Sequence, residues 1–416
     1  MNSKETGPTP KLPLQFWIVA SIAFINSVSF TIIIPVLYPY AKQFGLSDLE
    51  ASLLTTAYSL SQFVGTPVLG QLSDRWGRRP LLVISLLGTV VANLAAAIAT
   101  VPLLLFGARI FDGITGGNSS IAQAVVSDIT TPEQRTQAFG IYSGLFRLGF
   151  VAGPPLSYLA QTVPPVPGVS SLGMSFLVSA TIALIAAILC FCFLSETKAD
   201  PIAAIQDKKD ADAAKTAKKI DFIGLLTALG RPVTGRILLM TFLNGFTFTI
   251  FTFAFQPFFI NELEQDARNL AIAFVAFGIL AFLSQVFALE PLRKRFSIVN
   301  VLVGSLLARG VLFMLMPALP NIWAFSILLG LFGLVNAFPM PLIDSILSTR
   351  SRQDEQGEVL GLNASYLSIS NAFGPAVSGI LVTAFGYSMP FWIAGILTVI
   401  VAGFAVTLKQ PSPTAS

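Results

Sequence analysis

The sequence predicts an all-α integral membrane protein, with twelve transmembrane helices arranged as two six-helix pseudo-symmetric halves. Three observations carry that expectation: a shortage of charge, apolar runs of bilayer length along the whole chain, and an internal repeat. Of 416 residues, 54% are hydrophobic and only 11% charged, and the mean hydropathy is +0.75. A soluble domain carries about 25% charged residues, so this chain lacks the polar surface to dissolve. Its apolar runs reach the roughly 20 residues that cross a bilayer core. The 32 glycines and 26 prolines spread through them suit membrane helices, whose neighbours satisfy the backbone groups a proline frees. A membrane barrel would instead alternate apolar and polar residues in segments of about ten, a pattern foreign to this chain.

Read in order, the apolar stretches place spans near 15–39, 51–72, 80–99, 102–126, 136–160 and 171–194. After a polar interval come 235–260, 268–289, 298–317, 322–346, 359–384 and 387–408. The first run, Leu14 to Tyr38, is too long for a signal peptide and has no small-residue cleavage site after it. Placing the N-terminus inside puts every lysine and arginine on the cytoplasmic side except Lys42, Arg268 and the in-span Arg109, Arg147 and Arg309. That asymmetry predicts cytoplasmic ends for both termini. The interval "ETKADPIAAIQDKKDADAAKTAKKIDFIGLL" is polar and low in aromatics, as a solvated linker is, and turns apolar from Ile220 to Leu229, as a helix on the membrane surface would. The expected organisation is therefore a tail over 1–13, a half over 14–194, a linker over 195–234, a half over 235–408 and a tail over 409–416.

The halves repeat. "EQRTQAFGIYSGLFRLGFVAGPPLS" aligns without gaps on the segment ending "EQGEVLGLNASYLSISNAFGPAVS" at an offset of 221. Gly140 then meets Gly361, Gly153 meets Gly374 and Pro154 meets Pro375. At an offset of 220, "GQLSDRWGRRPLL" meets "EPLRKRFSIV", with Asp74 opposite Lys294. Paired six-span repeats are characteristic of secondary transporters that bind at the midplane between halves.

Three motifs sit in the matching places. "GQLSDRWGRRPLL" between the second and third spans resembles the loop motif of the major facilitator superfamily through Gly70, Asp74, Arg75, Gly77, Arg78 and Arg79. "GFVAGPP" in the fifth span, with Gly149, Gly153 and Pro154, resembles the antiporter motif of that superfamily's drug:proton antiporters, and "RIFDG" resembles their fourth-helix element. The tetracycline-efflux and multidrug-efflux exporters look most similar, over about residues 14–408. The resemblance implies the major facilitator fold and transport by alternating access. It also implies a conformational latch, in which Asp74 contacts the cytoplasmic end of the eleventh helix, where a helix dipole favours a carboxylate, and Arg78 pairs with Asp128. Arg75, Arg78 and Arg79 serve the positive-inside rule as well, and Gly77 permits the tight reversal. The chain departs from the pattern in three respects. The first span has no acid and the ninth carries Arg309, Ser157 and Tyr158 stand where the antiporter motif has glycines, and Asp112 replaces a common glutamine.

Charge inside a membrane costs at least about 2.5–3.5 kcal/mol per residue on insertion scales, so each case is a functional candidate. Arg109 and Asp112 lie one turn apart, and Gly116, Ser119 and Gln123 continue the same stripe of the fourth helix. Arg147 sits at similar depth in the fifth, so the three charges are expected to cluster, either as a structural ion pair or as a proton-coupling site. Burial favours a protonated carboxyl and an adjacent guanidinium favours an ionised one, so moving an arginine switches proton affinity. Asn26, Thr31, Asn244, Thr247, Gln256 and Asn336 are cavity candidates beside Ser119 and Gln123, with interhelical hydrogen bonding as the alternative role. The phenylalanines of "FLNGFTFTIFTFAFQPFF" read as packing or as an aromatic wall.

Other chemistry is excluded. No histidine exists, and Cys190 and Cys192 stand alone, so neither a metal site, a cofactor nor a catalytic set is expected. The basic pI of 9.1 reflects loop topology rather than nucleic-acid binding. The expected function is proton-coupled export of small drug-like amphiphiles by a monomer in a bacterial-type inner membrane. An anion carrier, by uniport or with protons, and a non-transporting sensor are the alternatives.

Overall fold

The computed structural model describes residues 12–197, 227–350 and 356–409, and among these the chain is helical with no strand. In order the helices are α1 (Leu14–Thr31), α2 (Ile34–Gln43), α3 (Asp48–Trp76), α4 (Arg78–Ala97), α5 (Pro102–Thr115), α6 (Asn118–Asp128), α7 (Pro132–Thr162) and α8 (Gly173–Phe193). There follow α9 (Thr234–Pro257), α10 (Ala267–Phe287), α11 (Leu289–Arg295), α12 (Ile298–Ala318), α13 (Ile322–Asn336), α14 (Pro339–Arg350), α15 (Gln356–Phe385) and α16 (Met389–Val406). Among the described residues nine helical stretches are long and apolar enough to cross a membrane. The predicted spans at 51–72, 102–126 and 136–160 are helical too, but α3 ends in charged residues, the fourth span carries the polar stripe, and α7 holds Arg147 and paired prolines. Most of the tails and linker lie outside the described residues, as does 220–226 of the helix expected over 220–229, whose last residues 227–229 are helical.

Four predicted spans are not continuous α-helices. The first is interrupted between α1 and α2, just before Pro35; the fourth between α5 and α6, at Gly116 and Gly117; the tenth between α13 and α14, just before Pro339. In the seventh, Pro257 ends α9 and Phe258–Glu262 continues as one π-turn. Proline removes a backbone donor and crowds the preceding turn. Gly117 answers a different need, because a Cβ there would lie 2.8 Å from Leu69 Cδ1 and 3.2 Å from Thr66 Cα, so only glycine lets α6 start this close to α3.

The described residues divide into two compact units. One gathers residues through Ile34, Val64–Ala99 and Leu103 onward to 197; the other gathers Pro35–Phe63, Thr100–Pro102 and the chain from 227. In the first, α1 packs on α7 and α8, and α4 packs on α8, around Phe16, Leu86, Val125, Val126 and Tyr142. The second repeats that scheme: α9 packs on α15 and α16, and α12 on α16. Its core is aromatic, with the Phe251 ring 4.9 Å from Phe313, 4.6 Å from Phe332 and 5.6 Å from Phe391. Phe251, Phe255 and Phe258 of the phenylalanine-rich run are thus packing residues. Pro35–Phe63 joins this unit through a polar knot. Tyr38 Oη donates to Asp48 Oδ1 (2.6 Å) and accepts from Asn261 Nδ2 (3.0 Å), while Lys42 Nζ lies 2.6 Å from the same carboxylate oxygen.

The repeat also governs close helix approach. On α7, Gly149 and Gly153 face Ser27 and Thr31 of α1. Ser27 Oγ donates to the Phe146 carbonyl (2.7 Å) and Thr31 Oγ1 to the Gly149 carbonyl (3.0 Å). On α15, Gly374 faces Thr249 of α9, whose hydroxyl reaches the Ser370 carbonyl (3.1 Å). Without a hydrophobic force between helices in lipid, such small-residue contacts and interhelical hydrogen bonds hold the bundle. Gly153→Leu is expected to destabilise the first unit by about 1–3 kcal/mol, as overpacking does. Unfolding in detergent, compared with Gly153→Leu in a Thr31→Ala background, checks this: the second variant recovers part of the loss.

Candidate substrate and proton site

The loop motif folds around one guanidinium. Gly77, at φ +101°, makes the reversal that only glycine adopts without strain, and α4 starts directly after it. Arg78 then contacts both acids within reach: Nη1 lies 2.7 Å from Asp74 Oδ1, and Nε donates to Asp128 Oδ2 at 3.0 Å. Nη1 also donates to Ser73 Oγ (2.7 Å). Arg79 reaches the Phe191 carbonyl and stacks over the Phe191 ring at 5.2 Å, tying α4 to the end of α8. Glu196 completes the arrangement. Its carboxylate accepts the Arg78 and Arg79 backbone N–H groups (2.8 and 3.2 Å), the otherwise orphaned donors at the start of α4, where a helix dipole favours negative charge. Sequence reasoning missed Glu196 and Ser73. The available signal was an acid directly after the apolar sixth span.

Inside the first unit, Arg109 Nη1 and Asp112 Oδ2 form an ion pair at 3.0 Å, with both residues under 5% exposed. Thr89 on α4 adds a hydrogen bond to the carboxylate. The three-charge cluster expected from depth does not form. Arg147 is exposed and lines a cavity of about 270 Å³ with Ser119, Gln123, Tyr142, Ser143 and two phenylalanines, Phe146 and Phe150. The physical reason is the interruption at Gly116–Gly117. It ends α5 after the Arg109–Asp112 pair and restarts the helix as α6, which carries Ser119 and Gln123 towards α7.

The remaining cavity candidates separate into two kinds. Asn26 exchanges reciprocal amide hydrogen bonds of 3.1 Å with Asn118, the first residue of α6, and lines a small void beside it. Thr31 is fully enclosed between α1 and α7, a packing residue rather than a lining one. Gln256 is buried and turns its amide back to the Thr252 carbonyl (3.5 Å). Asn244, Thr247 and Asn336 come together on a residue that sequence reasoning treated only as a departure, Arg309 of α12.

Paired bundles of broken helices, a buried ion pair and a polar, aromatic-walled cavity define the class as a membrane transporter rather than an enzyme. The Major Facilitator Superfamily profile matches residues 19–235 and 237–416, and the chain belongs to that family. Among its relatives, the class C tetracycline resistance protein of Escherichia coli is 29% identical over 371 residues, covering 86% of this chain and 87% of that protein. Multidrug resistance protein 2 of Bacillus subtilis (strain 168) is 26% identical over 407 residues, covering 95% of each. The fold is also that of a bacterial homologue of the human lysosomal transporter Spinster, solved inward-facing and unoccupied. The TM-score is 0.77 at 15% identity, over 98% of this chain and 100% of that one.

Breaking a buried pair by removing one partner costs about 3–5 kcal/mol, because the other charge is stranded. Arg109→Gln is therefore expected to lose that much stability, and the double variant Arg109→Gln/Asp112→Asn markedly less. Equilibrium unfolding in mixed detergent micelles measures the difference; equal losses would mean the two charges are not coupled.

Proposed function

We propose that this transporter exports small amphiphilic molecules in exchange for protons, by alternating access, from a bacterial-type inner membrane with both chain ends cytoplasmic. The observation that carries the reading is the Arg109–Asp112 pair, buried in α5 directly before the helix interruption that leads to the cavity. A carboxylate held by a movable arginine exchanges its proton when that arginine shifts, and the interruption at Gly116–Gly117 supplies the freedom to shift. Phe146 and Phe150 offer an aromatic wall to an apolar body, and Ser119, Gln123 and Arg147 offer polar and cationic contacts. Relatives named for tetracycline and multidrug resistance support export of drug-like compounds. In this reading Asp74, Arg78 and Asp128 hold the latch, and a monomer bearing one substrate and one proton site suffices.

Arg147 favours a second reading, a carrier of anionic metabolites, since it brings an exposed cation to the cavity wall. A fold neighbour, human MFSD10, is described as an organic anion transporter.

Inverted vesicles holding an acidic interior distinguish the two. Ethidium or tetraphenylphosphonium is expected to discharge the gradient with the wild-type chain, and at least tenfold more slowly with Asp112→Asn. Undiminished discharge in Asp112→Asn would make the pair structural. Discharge by anions alone, lost in Arg147→Gln, would establish the carrier reading.

A further inference from the structure

Arg309 is the largest fully buried side chain among the described residues, 1% exposed in the middle of α12. Its hydrogen bonds all go to neutral acceptors: Nη1 to Asn336 Oδ1 (3.3 Å), and Nη2 to the Asn244 carbonyl (3.3 Å) and Thr247 Oγ1 (2.8 Å). Its guanidinium lies 5.6 Å from the Phe313 ring centre. Among the described residues no carboxylate forms an ion pair with it. Its Nε–H has no acceptor, and beside it the buried Asn244 Oδ1 has no donor. Two of the three bonds are longer than the 2.7–2.9 Å usual for a charge-assisted pair.

A buried cation without a counter-charge is among the costliest groups a membrane protein can hold. The repeat sharpens the point. At the offset of 220, Arg309 corresponds to Thr89, the hydroxyl that supports Asp112, whereas Arg109 and Asp112 themselves correspond to Leu329 and Phe332. The first half thus carries a neutral pair at this helix interface, and the second half carries a positive charge alone.

We propose that Arg309 is the anion-recognising group of the C-terminal unit, and that amphiphiles bearing a carboxylate are among the substrates beside the cationic ones. The inference rests on the exporter reading and names its substrate class. A guanidinium presents a planar fork, and the idle Nε with its neighbour Nη2 forms one bidentate edge matched to a carboxylate. Thr247 and a rotated Asn244 amide supply further donors to the same anion, and the Phe313 ring beside the guanidinium is the apolar contact for the rest of the molecule. Entry lies along Asn336 and Met340, both half-buried and flanking the interruption between α13 and α14, where the backbone is free to give.

Rhodamine B and its ethyl ester form a matched pair, differing by one carboxylate, for a transport test in vesicles. Wild-type protein is expected to prefer rhodamine B, and the acid-to-ester rate ratio to fall at least tenfold in Arg309→Gln. Because Arg309→Gln replaces a fully buried side chain and so costs folded protein, Asn244→Asp serves as the second variant. It keeps the cation, gives it an internal carboxylate, and is expected to raise the melting temperature while abolishing the preference. An unchanged ratio in either variant overturns the proposal. A melting experiment on the purified chain separates this inference from the exporter reading, whose failure would show as neither dye being moved. Benzoate, but neither benzamide nor chloride, is expected to stabilise the wild type and not Asn244→Asp. No shift with benzoate, or an equal shift with chloride, overturns the carboxylate site even if the dyes are exported.

Discussion

A charge placed in hydrocarbon must find its compensation inside the protein, and that constraint organises this chain more than any single contact. Charged residues are only 11% of the sequence, and most lie where water reaches them. The exceptions therefore stand out. Arg109 and Asp112 compensate each other, Arg147 opens onto a cavity, and Arg309 leans on two amides and a hydroxyl. The same demand applies to the backbone, which is why the described spans are helices that close their own hydrogen bonds.

Against that background the interruptions acquire meaning. They fall in the first, fourth, seventh and tenth spans, once per three helices, so the pattern follows the repeat rather than the accidents of local sequence. Each has a local cause: Pro35, the Gly116–Gly117 pair, Pro257 and Pro339. Each also frees backbone groups that must be answered by something other than the next turn, and broken helices in transporters use such groups to meet substrates and ions. The functional candidates follow these points closely. Asn118 starts α6, Asn336 ends α13, and Arg109 with Asp112 closes α5. The unbroken α4, α7, α12 and α15 supply the rigid surfaces, with glycine-to-hydroxyl contacts on α7 and α15 setting the distance to α1 and α9.

Much of this was legible in the sequence because hydropathy and repeats act over many residues. The spans and the two halves need only spacing and sign of charge, while the Arg78–Asp128 pair was legible only through the resemblance of the loop motif to that of the superfamily. What escaped depended on where a helix stops. Continuous helical geometry through 102–126 puts Asp112 and Gln123 on one stripe and draws Arg147 towards both. The two glycines undo that register, so Arg147 joins Gln123 but not Asp112. Thr31 was legible as a polar residue in a lining helix, yet its partner is a glycine 122 positions away, and only packing shows that it is sealed. Glu196 escaped for a similar reason: its role comes from capping a helix that begins 118 residues earlier.

The two halves repeat one another but differ in charge at matching positions. The first kept an acid beside its loop motif and acquired the Arg109–Asp112 pair; the second has Lys294 at the position of Asp74, apolar residues at those of Arg109 and Asp112, and an arginine where the first has Thr89. In the proposed exchange Asp112 is the titrating acid of the first half and Arg309 the buried cation of the second, so protonation does not touch Arg309 directly. On that proposal coupling would pass through the interruptions of the broken helices, since each charge sits within one turn or a few residues of such an interruption or contacts a residue that does.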